Sequence, residues 1–393
     1  MDTLQHYARW IAMLMGALLM AAGGCGEKKD RLSREAGQCE KASAAAVAGT
    51  GADPEKQAPE AAAAEGQTAD ARQKPKVWIY TDMSDKTLPG RNQAGTVNDP
   101  DDISAMAGYL LMMNEFDTKG IVVTSTHRAE HKTTPDQGLW ASNFFGPAYR
   151  RDVENLNKNM GGYPAEVSFV QSGIKVSGER FSAANDYGSL ENYCTVKALF
   201  DLAAAEAGPI NVLCWCSLTE PAILVKHCLT SNRQDVLRKL RFIAHWTNSP
   251  LHQGTAAHPE NVANCREDAG ACRYLKERAL AGEAAYYELG AIGQHGIVGG
   301  YQGAEYFDQF KTSALGKIFA EGKFVYKSVD HSDAATYWVL LGNWGVSLKD
   351  VAGNGTNSAE IEKANEEKFR DWSKRIHDEL LRRAGLAAGK GME

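Results

Sequence analysis

Lys76-Val77-Trp78-Ile79-Tyr80-Thr81-Asp82 opens the globular part of this sequence, a short apolar run that ends on a hydroxyl and a carboxylate. A polar, glycine-containing stretch follows. Asp99-Pro100-Asp101-Asp102 then introduces Ile103, Met106, Ala107 and Leu110 at helical spacing. Gly120-Ile121-Val122-Val123-Thr124 reads as a second buried strand. Strand, loop, helix and strand form a βαβ unit, which requires a parallel sheet with helices on its faces. Downstream, the pattern predicts helices over residues 193–207 and 220–228 and strands over 210–216 and 240–245. The fold class is therefore α/β, an open, mostly parallel, Rossmann-like sheet flanked by helices over residues 76–345. In such sheets ligands bind beyond the carboxyl ends of the strands, where Asp82 and Ser125-Thr126-His127 fall.

Upstream of Lys76 the texture is different. Residues 26–75 are dominated by Ala, Glu, Lys, Gln, Gly and Ser, with Leu32 and Val47 the only large aliphatics. Such a segment cannot bury enough surface to offset its ordering entropy, and it reads as a disordered tether. Ile11 to Ala22 is an apolar run of signal-peptide length, too short to span a bilayer. It leads into Ala22-Gly23-Gly24-Cys25, which resembles a bacterial lipobox, so residues 1–25 are expected to be a lipoprotein signal with Cys25 acylated. An uncleaved anchor is the other reading. Either places the body outside the cytoplasm, in the cell envelope, lipid-anchored or secreted. Gly26 carries no aspartate signal for inner-membrane retention, which points to an outer membrane.

Beyond residue 345 a C-terminal helical extension, 346–393, is expected. Asn357 with Glu360 makes an N-cap, and Ile361, Ala364, Phe369, Trp372, Ile376 and Leu380 form an apolar stripe that Gly385 would end. The stripe packs on the domain or receives a partner. Of the eight cysteines, Cys265 and Cys272 are close enough for a loop disulfide in an oxidising compartment, two free thiols being the alternative. Cys214 and Cys216 flank Trp215 on an apolar strand and read as buried thiols.

The chain of 393 residues carries a net charge of −6, which offers no electrostatic footprint for nucleic acid. A cation or a neutral polar small molecule is the more natural partner. A carboxylate at a strand end facing two more at a helix start repels unless a cation sits among them, and calcium accepts many oxygens in flexible geometry. The same three residues, Asp99, Asp101 and Asp102, also suit a plain helix N-terminus. Spacing alone leaves both readings open.

Thr81-Asp82 with Asp101-Asp102 and the helix after them is similar to the D-T-D-P-G-x-D-D signature of inosine/uridine-type nucleoside hydrolases. The strand G-I-V-V-T-S-T-H resembles their G-I-T-T-V-x-G-N, and C-S-L-T-E-P-A at 216–222 resembles G-P-L-T-N-L-A. H-S-D-A-A at 331–335 sits where they carry H-D-P-L-A. Asn114-Glu115-Phe116-Asp117, running on to Thr126, is closest to the nucleoside-hydrolase-like domains associated with cellulose-binding proteins. The resemblance implies a calcium site from Asp82, Asp102, a backbone carbonyl at Thr219, and Asp333. It implies substrate binding by Asp101, His127, Asn264 and His331, with Asp82 as the catalytic base.

Departures accompany it. Asp82 and Asp102 are twenty apart (102 − 82), where the family has five, so a loop over residues 83–98 is inserted. His127 replaces a ribose-binding Asn, and Ser332 replaces a leaving-group His, with His331 one position early. His245-Trp246-Thr247 replaces M-G-G, and Asn264 with Asp268 is the one echo of the E-F-N ribose motif. Trp215, Trp246, Trp338 and Trp344 suit either sugar stacking or core. Two functions follow: a calcium-dependent hydrolase of an N-ribosyl or related glycosidic bond, or a non-catalytic carbohydrate-binding surface lipoprotein that keeps the metal. The expected partners are a nucleoside, riboside or sugar, the membrane through the lipid anchor, and a second copy of the chain in a homo-oligomer.

Overall fold

The structure is a computed structural model that describes residues 73–126, 132–174, 178–254 and 257–390. The signal segment with Cys25 and the tether up to residue 72 lie outside the described residues, as do His127, Arg128 and His131. Six parallel strands form the sheet: β1 (Lys76–Thr81), β2 (Asp117–Val123), β3 (Val170–Gln171), β4 (Ile210–Trp215), β5 (Leu240–Ala244) and β6 (Ala285–Glu288). Their spatial order is β3-β2-β1-β4-β5-β6. The order reverses between β1 and β4, where Ile79 faces Ile121 on one side and Leu213 on the other. A switch point of this kind leaves a crevice at the strands' carboxyl ends.

Successive side chains alternate between two cores, because a strand has a period of two. Val77, Ile79, Val123, Leu213 and Trp215 face α1 (Asp101–Leu111), α2 (Gln137–Asn159), α6 (Ala314–Glu321), α7 (Ala335–Leu341) and α8 (Ala359–Ala387). Trp78, Tyr80, Val122, Val212 and Cys214 face α3 (Cys194–Ala205), α4 (Thr219–Thr230) and α5 (Ala269–Leu280). Both faces being covered explains why β4 is buried at every position and reads as a continuous apolar run. Gly120 is required where it stands, since a Cβ there would come within 2.5 Å of the Trp78 ring. Trp215 and Trp338 are core residues, and Trp344 packs edge-on against Trp338.

The inserted loop doubles back on itself instead of displacing the signature. Pro89 bridges Thr96, the Gly90 amide donates to the Gly95 carbonyl at 2.9 Å, and Met83, Ser84, Val97 and Asn98 are buried. Asn98 Nδ2 donates to the Asp82 carbonyl, so the loop closes where it began. Twenty residues of separation thereby return Asp82 to Asp102.

Two sequence expectations need correction at the C-terminus. Ser358, not Asn357, caps α8, accepting from the Ile361 amide at 3.2 Å. Gly385 lies inside the helix, which runs on to Ala387 because Leu386 and Ala387 are buried against the domain. The turn to positive φ comes at Gly389, at +81°. Cys265 and Cys272 form a disulfide, while Cys214, Cys216 and Cys228 are buried free thiols.

Candidate functional site

The crevice at the switch point is lined by carboxylates delivered from three directions. Asp82 directly follows β1 and is 6% exposed. Asp101 and Asp102 form the first turn of α1, where the helix dipole favours negative charge. Asp333 comes from a single 3-10 turn, Ser332–Ala334, at the start of α7. Thr336 holds that turn by donating to the Asp333 carbonyl at 2.8 Å, and Trp215 Nε1 donates to Thr336 Oγ1 at 2.6 Å. The last motif is thus fastened to the end of β4.

One carboxylate oxygen from each of Asp101, Asp102 and Asp333 lies within 4.8 Å of the others. Burial, followed by the Asp333, Asp82 and Asp101 charges, pushes Asp102 well above the usual carboxylate range, against a hydrogen bond from Thr81 Oγ1. Asp333 is raised by burial and by Asp101 and Asp82 among others. Asp101 is raised by burial, then by Asp99 and others including Asp82. Asp82 therefore belongs to the same electrostatic group. Like charges held this close favour either protons or a cation between them.

One cation is built in. Lys323 Nζ lies 2.6 Å from Asp99, 2.9 Å from Asp330 and 3.8 Å from Asp101. Burial opposes its charge, but Asp101, Asp330 and Asp99 outweigh it and raise its pKa. Lys323 precedes a short hairpin, β7 (Phe324–Val325) and β8 (Ser328–Val329), which returns the chain to Asp330. The Asp330 amide donates to the Lys323 carbonyl at 2.9 Å, closing the unit.

His245 follows β5 and is 2% exposed, with Nε2 3.9 Å from Asp333 Oδ1. Burial, reinforced by Lys323, lowers its pKa to about 3, so it stands as a neutral imidazole beside the carboxylates. Asn264 reaches it indirectly, donating from Nδ2 to the His245 carbonyl at 2.9 Å. Thr219 begins α4 and donates from Oγ1 to Asp268, which also caps α5 through the Ala271 amide. Asp268 lies inside the loop closed by the Cys265–Cys272 disulfide.

Asp82, Asp101, Asp102 and Asp333 are brought together, while Thr219 opens α4 beyond β4 and Asn264 lies in a 3-10 turn, Ala263–Cys265, beyond β5. His331 is not among them. It is fully buried, its Nε2 3.0 Å from His377 Nε2 and its ring against Phe319. The 3-10 turn that sends Asp333 into the group sends His331 to the layer under α8. Lys323 and Asp330 escaped the sequence reading. Asp330 had one signal, its spacing of three from Asp333, and Lys323 had none, because the hairpin between them is too short to read.

Residues 94–249 match a family model described as the nucleoside hydrolase-like domain of cellulose-binding Sde182. The chain has a nucleoside hydrolase-like fold. Its fold is shared with a nucleoside hydrolase-related hypothetical protein from Saccharophagus degradans that is associated with carbohydrate metabolism. That likeness has 17% identity over 81% of this chain and 73% of the other, with a TM-score of 0.53. More distant is the type III effector XopQ complexed with adenosine diphosphate ribose, at 12% identity, 81% and 95% coverage, and a TM-score of 0.39. The inosine-uridine preferring nucleoside hydrolase from Bacillus anthracis gives 14% identity, 78% and 99% coverage, and a TM-score of 0.38. No curated protein matches the chain.

Proposed function

We propose that the nucleoside hydrolase-like domain is a calcium-dependent hydrolase of an N-ribosyl or related glycosidic bond. The observation that carries this reading is the gathering of Asp101, Asp102 and Asp333, with the Asp82 charge among them, at the switch point. The donors are all oxygens, and their mutual repulsion calls for a hard cation, so the residues fit calcium. Asp82, Asp102, Asp333 and the Thr219 carbonyl would hold it. Bound there, calcium would supply a Lewis acid that polarises sugar hydroxyls and an attacking water.

The protein's own residues do the rest. Asp101 accepts hydrogen bonds from the sugar hydroxyls and orients the ring. Asp82 takes a proton from the attacking water as its oxygen bonds to the anomeric carbon. The C–N bond breaks with its electron pair leaving on nitrogen, which takes a proton from solvent. His245, held neutral, offers a hydrogen bond at the β5 side of the pocket without adding charge. His127, whose position is ribose-binding in the resemblance, contacts the sugar.

The competing reading is a binder that keeps the cage without turnover, favoured by the cellulose-binding description of the matched family. Purified protein assayed against nucleosides, ribosides and oligosaccharides, with calcium and with chelator, separates the two. Calcium-dependent release of free base supports the hydrolase; binding without release at every substrate supports the binder.

We further propose export and attachment to the cell envelope through Cys25, with residues 26–75 as spacer. The Cys265–Cys272 disulfide supports an oxidising compartment. Among the described residues no helix is long and apolar enough to cross a membrane. Labelling with a radioactive fatty acid, lost in Cys25→Ser, tests the anchor.

A further inference from the structure

Apart from the carboxylate crevice, His252, Glu362 and Glu366 bring one imidazole nitrogen and two carboxylate oxygens within 4.8 Å of one another. We propose that these three residues are a second metal site, one that takes a divalent transition ion such as zinc. Nothing in the hydrolase reading is needed for it.

The geometry is that of a preset receptor. Glu362 and Glu366 are four apart on α8 and so share one face of the helix. Both are buried, at 0% and 5% exposure, while the His252 ring is 25% exposed and leaves a route from solvent. Glu362 is oriented by three donors: Ser249 Oγ at 2.6 Å, the Ala291 amide at 2.8 Å and the Leu251 amide at 3.1 Å. A carboxylate has about four lone-pair sites, so one remains for an ion. The His252 ring is fixed in plane by parallel stacking on His295, with centroids 3.7 Å apart at 11°. His252 Nε2 already meets Glu366 Oε1 at 2.6 Å.

A separate feature points at a ligand. Asn357 is 7% exposed, and its Nδ2 has no hydrogen-bond partner. It flanks the Glu362 carboxylate across Gly290, where a Cβ would strike both. A water or hydroxide carried by an ion on Glu362 would satisfy that buried amide. Held donors around a ligand set are what orient metal-binding side chains elsewhere.

The donor set decides the ion. Imidazole suits zinc and its neighbours, whereas calcium and magnesium prefer oxygen alone. Zinc bonds to nitrogen and oxygen of about 2.0–2.2 Å place donors roughly 3–4 Å apart. Donors already within 4.8 Å need only small side-chain movements to close. The ion takes the place of the hydrogen bond between His252 and Glu366. Its effect is mechanical: it fastens the loop that follows β5, which begins with His245 and Trp246 beside the carboxylate crevice, to α8.

Zinc titrated calorimetrically into chelator-stripped full-length protein tests the site. His252→Ala and Glu366→Gln should each bind one zinc ion fewer than the wild type, and Asp102→Asn should keep the ion that those two lose. Cobalt bound to the wild type should show a visible absorption band that His252→Ala lacks. A His252→Ala protein that binds as many zinc ions as the wild type, with an unchanged cobalt band, overturns the proposal. Because Asp102→Asn reads the other cage, failure of one site is distinguishable from failure of the other.

Discussion

The Lys323 ammonium lies 2.9 Å from Asp330 Oδ2, so the acidic end of the sheet carries its own cation on one side. Asp99, Asp101 and Asp330 share that charge. Among the described residues, the group on the Asp82, Asp102 and Asp333 side faces the neutral imidazole of His245 instead. The two halves therefore respond differently to mutation and to added metal.

Replacing Lys323 with Met leaves three carboxylates without their counter-ion. Removing one partner of a buried pair costs about 3–5 kcal/mol, and partial exposure of Lys323 reduces this to roughly 2–3 kcal/mol. Denaturant unfolding in chelator should report that loss. Calcium titration should report the opposite, tighter binding, because the crevice has become more negative.

Asp102 offers a pH test. Its folded pKa lies above the unfolded value of about 3.9, raised by burial and by the Asp333 and Asp82 charges. Its contribution to stability is therefore complete below that unfolded value and is lost as pH rises through the folded one. In chelator, the wild-type Tm should fall relative to that of Asp102→Asn as pH goes from 4 to 7. The difference cancels the contrary titration of the buried His331 and His377, whose pKa values are depressed. Saturating calcium should reverse the order at pH 7, making Asp102→Asn the less stable protein.

The disulfide supports the site from behind, since Asp268 within its loop accepts from Thr219. Chain entropy for so short a loop gives about 2–3 kcal/mol. Cys272→Ala should lose about that much in chemical denaturation. Its calcium affinity should also fall, because the turn that presents Thr219 is loosened.

How much of this was readable depended on the kind of signal. β1, α1 and β4 were legible because complete burial of a parallel sheet writes itself as apolar runs, and Asp82, Asp101 and Asp102 sit at the ends of the first two, whereas Asp333 was legible only through the H-S-D-A-A resemblance. The 83–98 loop was legible as an insertion but not as a closed turn, since the hydrogen bond from Asn98 to the Asp82 carbonyl has no sequence pattern. His331 was misplaced because a 3-10 turn sends adjacent residues to opposite sides, and spacing in a motif does not say which. Lys323 was invisible, as a long-range ion pair leaves no periodicity. Gly385 misled because glycine marks a helix end only where the chain turns to positive φ, and burial of Leu386 and Ala387 carried α8 past it.

The most direct test is the turnover of Asp82→Asn beside the wild type, on whichever glycoside of the panel is cleaved, with melting curves recorded in calcium and in chelator. The variant should fold and bind substrate within a few-fold of the wild type, yet lose kcat by several orders of magnitude, because it lacks the base that takes the water proton. Equal hydrolysis by a folded Asp82→Asn protein, or binding without hydrolysis by both proteins across the whole panel, would contradict the assignment of a hydrolytic site to this crevice.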